Sequence, residues 1–216
     1  MDFIGAYSWP NVRYLLEGFM ITLQVAGLSI FFSFILGLIL GTLRYTRLPF
    51  IGRLTAFVVD TVRNLPLLFI IFFIGMVLPQ TGLNISVFWA AVFGLSLFEG
   101  TMIAEIVRSG LVSVDKGQIE AARSSGLSYV QTLRHVILPL ALRRMSPPMV
   151  SQFISLLKDT SLAVSISLPE LMHHVQILGG SRFDYVIPAL ILASFLYFTV
   201  NYSLSIVARR LEARQF

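Results

Sequence analysis

Four uncharged runs, residues 18–43, 64–98, 145–157 and 185–208, organise the chain. A helix crossing a bilayer needs about 20 mostly apolar residues. The runs and their flanks predict five such helices, at roughly 19–43, 54–78, 86–107, 148–169 and 186–208. The second carries Asp60 and Arg63 near its start and ends at Pro79-Gln80-Thr81-Gly82, a turn signal. The fourth is expected to open at Ser146-Pro147-Pro148, with serine as N-cap and proline where a first-turn N–H is dispensable. Pro188 sits similarly in the first turn of the fifth. The pattern predicts an all-α integral membrane protein formed as a single transmembrane domain over residues 1–216.

Charge placement predicts the orientation. Twelve of the sixteen basic residues fall in the 44–53 loop (Arg44, Arg47, Arg53), the 108–147 loop and the tail (Arg209, Arg210, Arg214). Arg13 and Arg182 stand on the other side, and Arg63 and Lys158 lie inside spans. By the positive-inside rule the N-terminus is outside, while the C-terminus and the 108–147 loop are cytosolic.

Composition adds exclusions. Of 216 residues, 56% are apolar and 12% charged, against about 25% charged in soluble domains, so a water-soluble globule is ruled out. The absence of cysteine excludes disulfides and thiolate metal sites. Three histidines (His135, His173, His174) make a poor zinc cage, so no metal is expected. The net charge of +5 reads as topological bias, without a nucleic-acid partner. The first apolar run is too long for a signal core, so no cleavable signal peptide is expected.

In the first span, Ser29, Ser33, Gly37 and Gly41 form one row of small residues and Gly18, Thr22 and Ala26 another. Such rows let helix backbones approach closely, within the chain or between subunits.

The most informative segment is the loop at about 110–146. It reads as two short helices with a sharp corner. Asp115 caps the first with Gln118 at the reciprocal position, Gly126 ends it, and Ser128 with Gln131 forms a second capping box. Pro139 stops or kinks the chain beyond the second helix. Glu120, Ala121 and Ala122 are small or charged, which suits docking to another protein better than core packing.

Glu120-Ala121-Ala122, Gly126 and Val136-Ile137-Leu138-Pro139 resemble the EAA-xxx-G-x9-I-x-LP signature of ABC importer permeases, with Val136 where isoleucine is usual. Ala104-Glu105-Ile106-Val107-Arg108, Leu138-Pro139-Leu140-Ala141-Leu142-Arg143, Leu157-Lys158-Asp159-Thr160-Ser161-Leu162 and Arg63-Asn64-Leu65-Pro66-Leu67 are similar to the polar amino-acid branch. The resemblance covers about residues 15–210 and implies a type I ABC importer permease fold in a prokaryotic cytoplasmic membrane. It implies that Glu120, Ala121, Ala122, Gly126 and Pro139 belong to the loop that couples to a cytosolic ABC ATPase dimer. The remaining implied partners are an extracytoplasmic solute-binding protein and an amino-acid substrate, glutamine or glutamate being favoured by overall resemblance. This chain binds no cofactor on that reading; ATP and Mg2+ are used by the ATPase.

Charges at bilayer depth cost about 2.5–3.5 kcal/mol each on insertion scales, so each demands a reason. Lys158 lies about 10 residues into the fourth span, roughly 15 Å deep at 1.5 Å per residue. Glu99 is at similar depth from the other face. With Asp159, Thr160 and Ser161 they form either a substrate pathway for a zwitterionic amino acid or a cluster that neutralises itself. Leu65 and Pro66 join the pathway set, because Pro66 would kink the second helix and transporters place substrate at such breaks. Asp60 and Arg63, three apart on one helix, are expected to pair, as an ion pair or a cytoplasmic gate. Glu105 and Arg108 read as a surface pair, and His173-His174 as packing or solvated residues of an outer loop.

The chain has no G-x-x-x-x-G-K-[ST] phosphate loop, so it does not hydrolyse ATP alone. Five helices enclose no route for a polar solute, which predicts a two-fold pairing with an identical or sister permease. An intramembrane enzyme would need a motif such as H-E-x-x-H or G-x-S-x-G, and neither is present. An ion channel or proton-coupled carrier would not need the docking loop.

Overall fold

The computed structural model describes residues 1–46 and 49–213. Arg47 and Arg214, counted among the basic residues above, lie outside them. The described residues form helices joined by short turns, with no strand among them. After a short helix α1 (Phe3–Ala6), α2 (Trp9–Tyr45) begins ten residues before the first predicted span. Pro10 starts it where a missing N–H costs nothing. Its 37 residues reach about 55 Å, well beyond a hydrocarbon core of about 30 Å.

The second predicted span is two helices. α3 (Ile51–Arg63) ends at Asn64, and α4 (Leu67–Phe72) starts after Pro66 at 98° to it. Proline pushes Leu65 out of the helical region, so a full corner replaces the expected kink. The free carbonyls are met locally: the Asn64 backbone N–H donates to Asp60 O at 3.2 Å and its side-chain amide to the same oxygen at 2.7 Å. Beyond α4 the chain passes through a π turn (Phe73–Val77) and a 3-10 turn (Leu78–Thr81), ending at Gly82 with φ +94°.

α5 (Val87–Val112), capped by Ser86, is the central helix. Ser29, Ser33, Gly37 and Gly41 of α2 lie along it: Ser29 Oγ donates to Val92 O at 3.4 Å, and an added Cβ on Gly41 would meet Ala104 O at 2.6 Å. The second small row is also internal, since a Cβ on Gly18 would strike His174 at 2.7 Å and Thr22 Oγ1 accepts from Leu171 N at 3.1 Å.

The fourth predicted span also takes another form. After α5 come α6 (Lys116–Ser124), α7 (Tyr129–Thr132), a π turn (Leu133–Ile137) and α8 (Leu138–Asp159). Ser146, Pro147 and Pro148 therefore lie inside α8 and do not open it. Pro139 sits in the first turn of α8, and the preceding π turn absorbs its missing N–H. Ser146 Oγ donates to Arg143 O at 3.0 Å, the acceptor that Pro147 leaves without its helical partner. The helix tightens into a 3-10 segment (Thr160–Ile166) and stops at Ser167, whose φ of +61° is left-handed. α9 (Leu171–Ser181) carries the two histidines expected in a loop, and α10 (Val186–Ala213) completes the chain. By length and apolarity three helices can cross a membrane, and the α3–α4 pair makes up to four among the described residues.

Candidate functional site

Polar side chains gather at three levels. At one end of α5, Glu105 Oε2 receives Arg44 at 3.1 Å and Arg63 at 3.7 Å, and Glu105 Oε1 receives Arg108 at 2.5 Å. Arg44 also reaches Asp60 at 3.2 Å. Asp60 and Arg63 therefore pair across helices instead of with each other. Glu105 and Arg108 do pair, but as the centre of a network joining α2, α3 and α5. It sits on the corner made by residues 64–66.

Six residues before Glu105 on the same helix, Glu99 is wholly buried. Its Oε2 accepts from the Gln152 amide of α8 at 2.6 Å, and its carboxyl faces that of Asp159. Lys158, one residue earlier on α8, points elsewhere: it is exposed and lines a 230 Å³ pocket with Ser161, Met172 and Tyr197. Adjacent helical positions diverge by about 100°, which separates the two neighbours. Lys158 makes no ion pair within 4.0 Å among the described residues. The geometry thus brings Glu99 to Asp159 and leaves Lys158 with Ser161. Thr160 is fully buried, its hydroxyl donating to Leu157 O at 2.7 Å. Leu65 lines a separate, wholly apolar 310 Å³ pocket with Val62, Phe69 and Leu97, while Pro66 caps α4 beside it.

The third level is the loop between α5 and α8. Asp115 caps α6 through Gly117 N at 2.6 Å, not through a box with Gln118. Gly126 takes φ +87° and opens onto free space, so its lack of a side chain serves the backbone turn. The Ser128–Gln131 box is complete, with bonds of 3.3 and 2.8 Å. Glu120 and Ala121 are exposed, whereas Ala122 is buried against its own chain. Arg144 of α8 ties the loop back by donating to Ser113 O.

Two residues at the middle level, Gln152 and Tyr197, carry no sequence signal of their role, and a third, Glu170, carries only a local one. Glu170, just past the predicted fourth span, is fully buried and caps α9, accepting from His173 N at 2.8 Å and Met172 N at 2.9 Å. An acid after proline and before an apolar helix is the available clue. His174 packs: its ring stacks on Tyr14 at 4.0 Å and Nδ1 contacts Tyr14 O at 2.6 Å. No group of three metal-ligating side chains forms among the described residues.

Residues 33–216 match the family described as binding-protein-dependent transport system inner membrane component. The chain is 59% identical, over all of both sequences, to the probable glutamine ABC transporter permease protein of Bacillus subtilis (strain 168). It is 35% identical to the glutamine transport system permease protein of Escherichia coli (strain K12), over 99% of this chain and 98% of the relative. Among solved structures, an amino acid ABC transporter with histidines superposes with a TM-score of 0.91 at 28% identity, covering 99% of each chain.

Proposed function

Because the chain belongs to the family of binding-protein-dependent transport system inner membrane components, we propose that it carries glutamine inward through the pocket beside Lys158. The chain is a multi-pass inner-membrane subunit of an amino-acid ABC importer, and ATP is hydrolysed by a separate subunit. Glutamine is the substrate named for relatives at 59% and 35% identity.

One observation carries the reading: Lys158 projects into a pocket without an ion-pair partner there. A cation at bilayer depth needs compensation, and the substrate α-carboxylate supplies it, with the Ser161 hydroxyl beside it. The α-ammonium turns towards Asp159, whose carboxyl faces Glu99, itself held by the Gln152 amide. Pro66 and Leu65 border the route at the corner, and the Asp60–Arg63–Glu105 network closes its cytosolic end.

The chain forms one transmembrane domain of five spans, N-terminus outside and C-terminus cytosolic, with α8 and its 3-10 extension as the fourth. It pairs about a two-fold axis with an identical or sister permease. A solute-binding protein delivers substrate from outside. On the cytosolic side Glu120, Ala121, Gly126 and Pro139 shape the docking element for an ATPase dimer, which holds the ATP and Mg2+; Ala122 supports it from within.

Reconstitution tests this. Glutamine uptake into proteoliposomes should require ATP, the ATPase and the binding protein together, and ATP-independent flux would refute it. Gly126→Val and Glu120→Lys should abolish uptake and substrate-stimulated ATP hydrolysis while membrane insertion stays normal. Full uptake in both variants would remove the coupling role.

A further inference from the structure

Two carboxyls meet between α5 and α8 with no cation to reconcile them. Glu99 is wholly buried, and its Oε2 accepts from the Gln152 amide at 2.6 Å. Its other oxygen, Oε1, is buried with no donor on it. What the carboxyl faces is Asp159, which stands two turns beyond Gln152 on the same side of α8. The surroundings supply nothing positive. Between residues 18 and 43 α2 has no ionisable side chain, and α4 and the 3-10 segment have none at all. Arg44, Arg63 and Arg108 converge on Glu105 instead, with Asp60 on Arg44. Lys158 is adjacent to Asp159 and acts on it through space, but no ion pair within 4.0 Å reaches either acid among the described residues.

Two carboxylates in contact inside an apolar bundle repel each other and have no counter-charge. A single proton between them turns the repulsion into a charge-assisted hydrogen bond. The wholly buried acid holds the proton, and the part-exposed one, with Lys158 next to it, keeps the charge. Because Glu99 Oε2 is already an acceptor, the proton sits on Oε1, and that oxygen gains the partner it lacks. We infer that Glu99 is a positioning residue: it acts as a neutral acid whose Oε1–H donates to the Asp159 carboxylate and fixes the anion that meets the substrate ammonium. The pair then carries one negative charge, matched in number by the one positive charge of Lys158. The role in transport rests on Asp159 taking that ammonium; the shared proton does not.

Infrared difference spectroscopy on the purified permease–ATPase complex reads the proton directly. Wild type minus E99Q at neutral pH should show the carbonyl stretch of a protonated carboxylic acid, and its absence would overturn the inference. Glutamine uptake into proteoliposomes, with ATP and the binding protein, reads the role. E99A should lower uptake about tenfold, the worth of one hydrogen bond to a charged group. E99Q should recover most of that loss, since its amide donates to Asp159 and accepts from Gln152 as the neutral acid does. Full uptake in E99A, or E99Q no better than E99A, would remove the positioning role. Should E99A fail to fold, the band and uptake by E99Q decide. D159N should abolish uptake. If D159N transports normally, the substrate reading of Asp159 fails and the positioning role with it, while the band still decides the proton. If D159N abolishes uptake and the band is missing, only this inference falls.

Discussion

Glu99 and Glu105 occupy one helix six residues apart, yet they solve the problem of a carboxyl near a membrane in opposite ways. Glu105 is surrounded by guanidinium groups from α2, α3 and α5. It gathers elements through charge, and its partners' planar forks can share one acceptor pair. Glu99 faces an amide and another carboxyl, with no cation on it. It joins only α5 to α8 and does so through hydrogen bonding. The first arrangement needs a net negative charge at its centre; the second needs only the right shape and polar atoms.

Neutral isosteres sharpen that contrast. Glu105→Ala leaves Arg44, Arg63 and Arg108 facing one another and should cost about 2–3 kcal/mol, below the fully buried range because the site is part-exposed. Thermal unfolding of the purified subunit in detergent reads this, and Glu105→Gln should recover little of the loss. Glu99→Ala strands the Gln152 amide and should cost about 1–2 kcal/mol. Glu99→Gln, by contrast, keeps an oxygen for the Gln152 amide and should remain within about 0.5 kcal/mol of wild type in the same assay. Equal costs for the two glutamine variants would break the distinction. The smallest effect belongs to the network's rim. A double-mutant cycle on Arg44 and Asp60 should return about 0.2–1 kcal/mol, shrinking in high salt, since Asp60 is half exposed.

Legibility from sequence follows the range of the interactions involved. The loop between α5 and α8 is readable because its features are local: a cap lies within three residues of what it caps, and Gly126 answers to its own φ. The corner at Pro66 announces itself, but its 98° depends on α4 packing against α5 and the 3-10 segment after α8. Pro147 and Pro148 look like a beginning, which misplaces the start of the fourth span. In the fold the Ser146 hydroxyl takes up the Arg143 carbonyl that Pro147 leaves free, and the helix runs through them. Spacing on one helix matches Arg63 to Asp60, whereas its partner in the fold is an acid 42 residues further along the chain. Gln152 and Tyr197 stay silent because each acquires its role only across elements, Gln152 where α8 meets α5 and Tyr197 where α10 meets the acid that precedes α9.

The seam between α2 and α5 bears on biogenesis. When α2 leaves the ribosome, its row of Ser29, Ser33, Gly37 and Gly41 has no mate, for the surface it fits is encoded at residues 92–107. Lipid tails fill such a groove no better than any other apolar liquid, so α2 can enter the bilayer as an independent helix and wait there. Synthesis of the α3–α4 elbow is then a built-in delay, and the two sides of the seam meet only after it.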